Sequence, residues 1–249
     1  MLSAEALLHY LQPQGFEYDS ETGLPQLPHK VLFCFSPWLA DQLRREFGGL
    51  SHRFLGARLD HLQGTERGWG VLSGFGLGAP AAVAKLEELR ACGVRDMLFV
   101  GTAGALVPEL KPGRLGLCLG AYCDEGTSAH YEGPSQGELV LPHPEWTQEW
   151  ASQLARQSLD FVEVRSWTTD APYRETPQKI QHFVAQGAHC VEMEASALFV
   201  AAQFHQLRLA GLVVISDELH SGQWRPHLRD PKVKAQLLEA ARFIIRTGC

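Results

Sequence analysis

Residues 68–104 read GWGVLSGFGLGAPAAVAKLEELRACGVRDMLFVGTAG and contain a strand, a helix and a second strand in succession. The apolar runs 68–75 and 96–101 predict buried strands, and the segment at about 80–92 predicts a helix with one apolar face. Glycine-rich turns separate the three elements. Since two strands joined through a helix run in the same direction, this unit predicts a parallel pair at the centre of the fold.

The same alternation continues in both directions along the chain. Further strands are predicted at 30–35, 114–122, 160–167 and 209–216, and further helices from Ser36-Pro37 onward and at 144–157, 189–206 and 230–247. A short helix and a Pro- and Gly-rich lead are predicted over residues 1–28. Because no linker or repeat interrupts the pattern, we predict one α/β domain over residues 1–249, with a largely parallel or mixed sheet covered on both faces.

The composition is that of an ordinary globular protein, with 45% apolar and 20% charged residues in a chain of 249. The 28 acidic residues outnumber the 22 basic ones, which argues against a nucleic-acid partner. The N-terminal stretch MLSAEALLHYLQ has no Lys or Arg and contains Glu5, so it does not fit a secretory signal. No uncharged run approaches the roughly 18 residues of a membrane helix. We therefore expect a cytoplasmic protein with no membrane partner.

Six cysteines are present, at positions 34, 92, 118, 123, 190 and 249. They form no CxxC motif, and none lies at ligand spacing from a pair of histidines, so we expect no metal site. Cys34, Cys118 and Cys190 fall in apolar runs, where a thiol is usually a small buried hydrophobic group. Reduced thiols in an intracellular protein are the simplest interpretation.

Ligands of such folds bind at the carboxyl ends of the strands, and two glycine-rich segments lie there. The segment GFGLGA at 74–79 matches the dinucleotide pattern G-x-G-x-x-A, but the following strand ends in FVGT at 99–102, without the acidic residue that holds a ribose. We therefore favour a tight strand-to-helix turn over an NAD site. At 101–104, GTAG is consistent either with another tight turn or with backbone N–H groups and the Thr102 hydroxyl holding an anion or a ribose oxygen.

Carboxylates at two further positions are stronger candidates for function. Glu192 and Glu194 lie in the apolar segment GAHCVEMEASALF, and Asp217 follows a buried strand in VVISDEL. Burying unpaired carboxylates costs several kcal/mol, so we favour a functional pair of segments over helix caps or structural ion pairs. On a helix, residues 192 and 194 would point in different directions, which predicts that only one of them faces a shared site.

Six segments, in order, resemble the nucleoside phosphorylase family, which includes purine nucleoside and uridine phosphorylases and related nucleosidases. They are GFGLGAPAA, FVGTAGALVPELKPG, CDEGTSAHY, TTDAPYRET, GAHCVEMEASAL and VVISDEL. The resemblance extends from about Val31 to the C-terminus. It implies a single three-layer α/β/α domain with a mixed, barrel-like central sheet, and a homo-oligomer between a dimer and a hexamer.

The resemblance also implies roles for individual residues around a nucleoside. Glu194 would accept hydrogen bonds from the ribose hydroxyls, with Met193 packed on the sugar and Glu192 nearby. Asp217 takes the position of the acid that protonates N7 of a purine leaving group, and Arg225 or Arg229 would support it.

Other site residues follow from the same resemblance. Pro172 stands where an aromatic ring often stacks on the base, which leaves Tyr173, or else Tyr131 or Trp224, for that contact. Thr102 matches a hydroxyl residue of the phosphate or ribose site, and Gly76 belongs to the glycine-rich binding loop. Arg53 resembles an arginine that a neighbouring subunit supplies to phosphate.

The chain departs from the family pattern where phosphate binds. Phe35 and Leu39 replace the glycine and arginine of the G-D-P-x-R motif, and Phe99 replaces the arginine of a third-strand motif. Losing two charge-assisted contacts of about 1.5–3 kcal/mol each would weaken phosphate binding strongly. Family nucleosidases carry a water-activating glutamate near the first strand, and no acid is present at 34–39.

Three functional hypotheses result. The first is phosphorolysis of a nucleoside in purine salvage, with an atypical phosphate site and phosphate as a co-substrate but no other cofactor. The second is hydrolysis of a nucleoside without phosphate. The third is a non-catalytic nucleoside-binding or storage protein, which the presence of both Glu194 and Asp217 disfavours.

Overall fold

A computed structural model describes residues 3–63 and 68–247 of the protein. The helices are α1 Ala4–Leu11, α2 Pro37–Phe47, α3 Ala79–Ala91, α4 Pro144–Arg156, α5 Pro177–Gln186, α6 Ala195–Phe204 and α7 Pro231–Thr247. The strands are β1 Lys30–Cys34, β2 Leu50–Phe54, β3 Ala57–His61, β4 Trp69–Ser73, β5 Asp96–Ala105, β6 Leu115–Asp124, β7 Leu139–Val140, β8 Phe161–Thr169, β9 Cys190–Glu192, β10 Arg208–Glu218 and β11 Arg225–Pro226. Short 3-10 turns occupy Ser128–Tyr131 and Pro172–Arg174.

Five strands of the mixed sheet close on themselves. Strand β5 pairs in parallel with β10 and antiparallel with β9, β9 is parallel to β8, β8 is parallel to β6, and β6 returns antiparallel to β10. Outside this ring, β1 pairs in parallel with the first half of β5. The sheet then continues from β1 through β4, β3 and β2. This confirms the mixed, barrel-like sheet that the family resemblance implied.

Helices cover both faces of the sheet, as predicted for a three-layer fold. One apolar cluster joins α1, α3 and α6 to the sheet through side chains such as Leu8, Leu86 and Leu198. A second cluster joins α2, α4 and α7 to the opposite face, around the fully buried Trp150. None of the helices in the described part of the chain is both long enough and apolar enough to cross a bilayer.

Several predicted helix boundaries are confirmed by their caps. The Ser36 side chain accepts a hydrogen bond from the Leu39 N–H at 3.3 Å, with Pro37 in the first position of α2. Asp230 accepts from the Lys232 N–H at 2.9 Å ahead of α7. The predicted burial of Cys34, Cys118 and Cys190 is also confirmed, whereas Cys249 lies outside the described residues.

The sequence interpretation missed the hairpin β2–β3, the two-residue strands β7 and β11, and helix α5. The hairpin β2–β3 was missed because β2 is largely exposed and therefore shows no apolar alternation. Helix α5 was missed because Phe183 is its only buried residue among those described, too few for a recognisable apolar face.

Three predicted boundaries were wrong, and each correction bears on the site. Residues 189–206 are not one helix, because Cys190–Glu192 form β9 and α6 begins only at Ala195. The GTAG segment at 101–104 is not a turn, since β5 continues through it to Ala105. Asp217 lies within β10 and not beyond it, because β5 and β10 stay paired to the end.

Candidate functional site

A pocket of about 700 Å³ opens at the carboxyl ends of β1, β5 and β10 and beside the junction of β9 with α6. A volume of this order lies within the usual range for small-molecule sites. Its position agrees with the prediction that ligands bind where the strands end.

The structure brings together most of the predicted site residues. Those that line the pocket are Thr102, Tyr173, Glu192, Met193, Glu194 and Asp217. Gly76 is exposed one residue before the pocket-lining Leu77. Arg53 is exposed on β2 outside the pocket of its own chain.

Glu194 lies at the start of α6 and links two segments of the pocket wall. Its Oε1 accepts a hydrogen bond from the Gly78 N–H at 2.6 Å, which ties the glycine-rich loop to α6. Gly78 has φ +90°, a conformation that favours glycine, so the predicted tight turn is confirmed. Burial, together with the nearby charge of Glu192, raises the pKa of Glu194 to about 7. The pocket therefore favours the protonated form of this carboxyl group more than water does.

Both carboxylate oxygens of Glu192 accept hydrogen bonds from other groups of the protein. Its Oε1 accepts from the hydroxyls of Ser166 at 3.0 Å and Thr168 at 2.5 Å, and its Oε2 accepts from the N–H groups of Glu194 at 2.7 Å and Ala195 at 2.6 Å. Burial raises the pKa of Glu192 and these bonds oppose the shift. Since Glu192 ends a strand, the prediction that only one glutamate faces the site was wrong: both line the pocket.

Asp217 is half-buried, and its carboxylate accepts hydrogen bonds from two residues that are near it in sequence. The Ser216 hydroxyl donates to Oδ1 at 2.7 Å, and the Trp224 indole N–H donates to Oδ2 at 2.9 Å. Arg225 and Arg229 were expected to support Asp217, but among the described residues neither forms an ion pair with it. Arg225 is exposed on β11, paired in register with Glu218.

Sequence reasoning missed one acidic residue of the pocket, Glu175. It follows the 3-10 turn Pro172–Arg174 and lines the pocket with Asp217. Burial, and to a smaller extent the charge of Asp217, raises the pKa of Glu175 to about 7. Its place in the TTDAPYRET segment, two residues after Tyr173, was the signal that could have identified it.

Phenylalanines occupy the region where the family pattern places phosphate-binding groups. Phe35 contacts Phe75 and Phe99 edge to face, with ring centroids 5.4 and 6.3 Å apart. Leu39 is fully buried in the core. Among the described residues, no Lys, Arg or His side chain lines the pocket, which leaves the hydroxyls of Ser36 and Thr102 as polar groups on this side.

Of the three aromatic residues considered for stacking on a base, two lie at the pocket. Tyr173 is 99% exposed and Trp224 is 61% exposed, and both line the opening. Tyr131 instead packs against Phe204 and His205, away from the pocket walls. The rings at the opening therefore have free faces on which a planar ligand can stack.

The pocket offers carboxyl groups that can accept hydrogen bonds from hydroxyls, and aromatic rings with flat apolar faces. Sequence comparison agrees with this chemistry. Residues 32–246 match the phosphorylase superfamily model, and the chain belongs to that superfamily.

The alignments with related sequences cover only part of this chain and part of each relative. A guanosine phosphorylase of Halorubrum lacusprofundi is 28% identical over 147 residues, covering 59% of this chain and 60% of the relative. A uridine phosphorylase of Treponema pallidum is 30% identical over 162 residues, covering 59% of this chain and 61% of the relative. The match thus spans about three fifths of these relatives.

A solved structure shows the fold over nearly the whole chain. The crystal structure of uridine phosphorylase from Vibrio fischeri ES114 superposes with a TM-score of 0.77 at 24% identity, covering 90% of this chain and 93% of that one. This similarity establishes the fold.

Proposed function

We propose that the protein is an enzyme that cleaves the N-glycosidic bond of a nucleoside with a purine-type base. The observation that carries the proposal is the presence of Glu194 and Asp217 in one pocket of nucleoside-compatible size. Membership of the phosphorylase superfamily and the names of the relatives, guanosine and uridine phosphorylase, support it.

In the proposed mechanism each end of the nucleoside meets a carboxyl group. Glu194 accepts hydrogen bonds from the ribose hydroxyls, and Met193 packs against the sugar. Bond cleavage builds an oxocarbenium-like cation at the sugar and negative charge on the base. Negative charge near the sugar and an acid at the base, assigned to Asp217, both lower that barrier.

Phosphate is our first candidate for the acceptor of the sugar, since the relatives named above are phosphorylases. The Thr102 hydroxyl and backbone N–H groups are the proposed contacts within the chain. Arg53 can contribute only from a neighbouring copy, because it is exposed on β2 outside its own pocket. A homo-oligomer between a dimer and a hexamer, and a cytoplasmic location, stay predictions.

Water is the second candidate acceptor, and one observation favours it. Within the described residues, four carboxyl groups and no basic side chain line the pocket, with Phe35 and Phe99 where arginine or glycine would assist phosphate. A phosphate dianion gains little in such a field, whereas water carries no charge to desolvate.

A panel of purine and pyrimidine nucleosides, assayed for free base with and without phosphate, tests both proposals. Phosphate-dependent release supports phosphorolysis, and release without phosphate supports hydrolysis. No release from any nucleoside would refute the proposed function.

Asp217→Asn should lower turnover of the best purine nucleoside by about 10²–10⁴-fold while the protein stays folded. The exposed Asp160→Asn is the matched control and should retain full turnover.

A further inference from the structure

Glu175 is a carboxyl group of the pocket with no role in the proposed reaction so far. It is half-buried between the 3-10 turn Pro172–Arg174 and α5, and it faces the same cavity as Asp217. In the described part of the chain its side chain makes no hydrogen bond and no ion pair. Both oxygens of Asp217, in contrast, already accept hydrogen bonds from Ser216 and Trp224.

We propose that Glu175 is a second acidic residue of the reaction, working as a pair with Asp217. Glu175 holds one proton before cleavage, and this proton passes to the departing base within the pocket that both carboxyl groups line. This inference rests on the proposed function and names the source of the proton that cleavage requires.

The surroundings of the pair explain why one proton stays there at neutral pH. Burial penalises the ionised form of Glu175, and the nearby charge of Asp217 adds to the penalty, so the pKa of Glu175 rises to about 7. The other titratable side chains that line the pocket in the described residues are Glu192 and Glu194, at the β9–α6 junction, and Tyr173. None of them supplies a positive charge that would stabilise two ionised carboxylates in one pocket.

The proton balance of the step is complete. The C1′–N bond breaks and its electron pair passes to the base. An O–H bond of the pair breaks, an N–H bond forms on the base, and the pair is left doubly ionised. The acceptor, hydrogen phosphate or water, bonds to C1′ through oxygen and releases the proton that restores the pair. No redox partner is needed.

Leaving-group dependence tests the proposal, because only a base that needs a proton depends on an acid. Glu175→Gln should lower kcat/KM for guanosine by about 10²-fold, and should change kcat/KM for 4-nitrophenyl β-D-riboside, which releases a stabilised anion, by less than about 3-fold. Equal losses on both substrates, or no loss on guanosine, would overturn the role of Glu175. The exposed Glu163→Gln on β8 is the matched control and should leave both values unchanged.

A second measurement does not depend on activity. In protein labelled with ¹³C at glutamate carboxyls, the resonance that disappears in Glu175→Gln should titrate near pH 7, well above the ordinary value of about 4.3. A titration at the ordinary value would refute the proposal even in an inactive protein. Titration near pH 7 together with no release of base from any nucleoside would instead refute the proposed function and leave the protonated carboxyl in place.

Discussion

At the residue scale, the pocket draws its carboxyl groups from two kinds of segment. Glu194 and Asp217 lie in apolar stretches at or within strand ends, whereas Glu175 follows a 3-10 turn. Glu175 and Asp217 are far apart in sequence, and the fold brings both to one pocket. Spacing within a segment carries no information about such neighbours, so the sequence predicted Glu194 and Asp217 but not Glu175.

The two neighbouring glutamates are expected to respond differently to substitution. Glu192→Ala removes the acceptor of the N–H groups of Glu194 and Ala195. Since donors left buried without partners are costly, we expect the free energy of unfolding to fall by about 1–3 kcal/mol. Urea unfolding of the variant and the unaltered protein measures this difference.

Glu194→Gln is expected to affect nucleoside binding and not folding. The amide oxygen can still accept from the Gly78 N–H, so the unfolding midpoint should change little. The loss of a charged acceptor for the ribose hydroxyls should lower kcat/KM by about 10–100-fold. A large loss of stability with normal kinetics would show that Glu194 is structural and would move the ribose contact elsewhere.

At the element scale, strand identity was predictable and strand ends were not. The apolar runs of β5 and β10 were recognised, but the segment GTAG at 101–104 was expected to be a tight turn or a strand end that holds an anion or a ribose oxygen. Pairing with β10, up to Ala105 opposite Glu218, keeps the segment extended. Pairing across the sheet decided a local conformation for which glycine and alanine have little preference of their own.

Close packing between β5 and β10 gives a prediction at this scale. Phe99 lies opposite Gly211 in the register, and a Cβ on Gly211 would meet the Phe99 ring at 1.9 Å. Gly211→Ala should therefore lower the free energy of unfolding by about 1–3 kcal/mol, because the ring can move only by disturbing its neighbours. Thermal unfolding measures the change.

The matched control for this substitution is Gly126→Ala. The Cβ added there meets only an Asp170 oxygen at 3.8 Å, and the backbone is not in the left-handed region. Its melting temperature should stay close to that of the unaltered protein. If Gly211→Ala were equally well tolerated, the Phe99 ring would not be packed over this strand.

At the scale of the whole molecule, the layers were predictable and the closure of the barrel was not. Strands alternating with helices implied a sheet covered on both faces, and α1, α3 and α6 on one face with α2, α4 and α7 on the other confirm it. Closure depends on β5 pairing with both β9 and β10, and three-residue β9 had been assigned to a helix. Only the family resemblance implied the barrel.

The net charge of the chain does not describe the charge of the pocket. The net charge of −6 is spread over the whole molecule, whereas the described walls of the pocket contain four carboxyl groups and no basic side chain. Burial there, and to a smaller extent repulsion between carboxylates, raises the pKa of both Glu175 and Glu194 to about 7. Because ionisation of these carboxyl groups destabilises the pocket, the stability of the fold should depend on pH.

The variant Glu175→Gln should reveal how ionisation of one pocket carboxyl group makes stability depend on pH. The pKa of Glu175 is higher in the folded protein, about 7, than in the unfolded chain, where a glutamate has about 4.3. The folded state therefore binds more protons between these values, and the contribution of Glu175 to stability is lost as the pH rises through about 7. Glutamine cannot ionise and avoids this loss. The melting temperature of Glu175→Gln should exceed that of the unaltered protein above about pH 8, and the difference should shrink toward pH 4.5. Thermal unfolding across this range, with Glu163→Gln as the control whose difference stays constant, measures the effect; a difference independent of pH would show that Glu175 ionises as freely in the fold as in the unfolded chain.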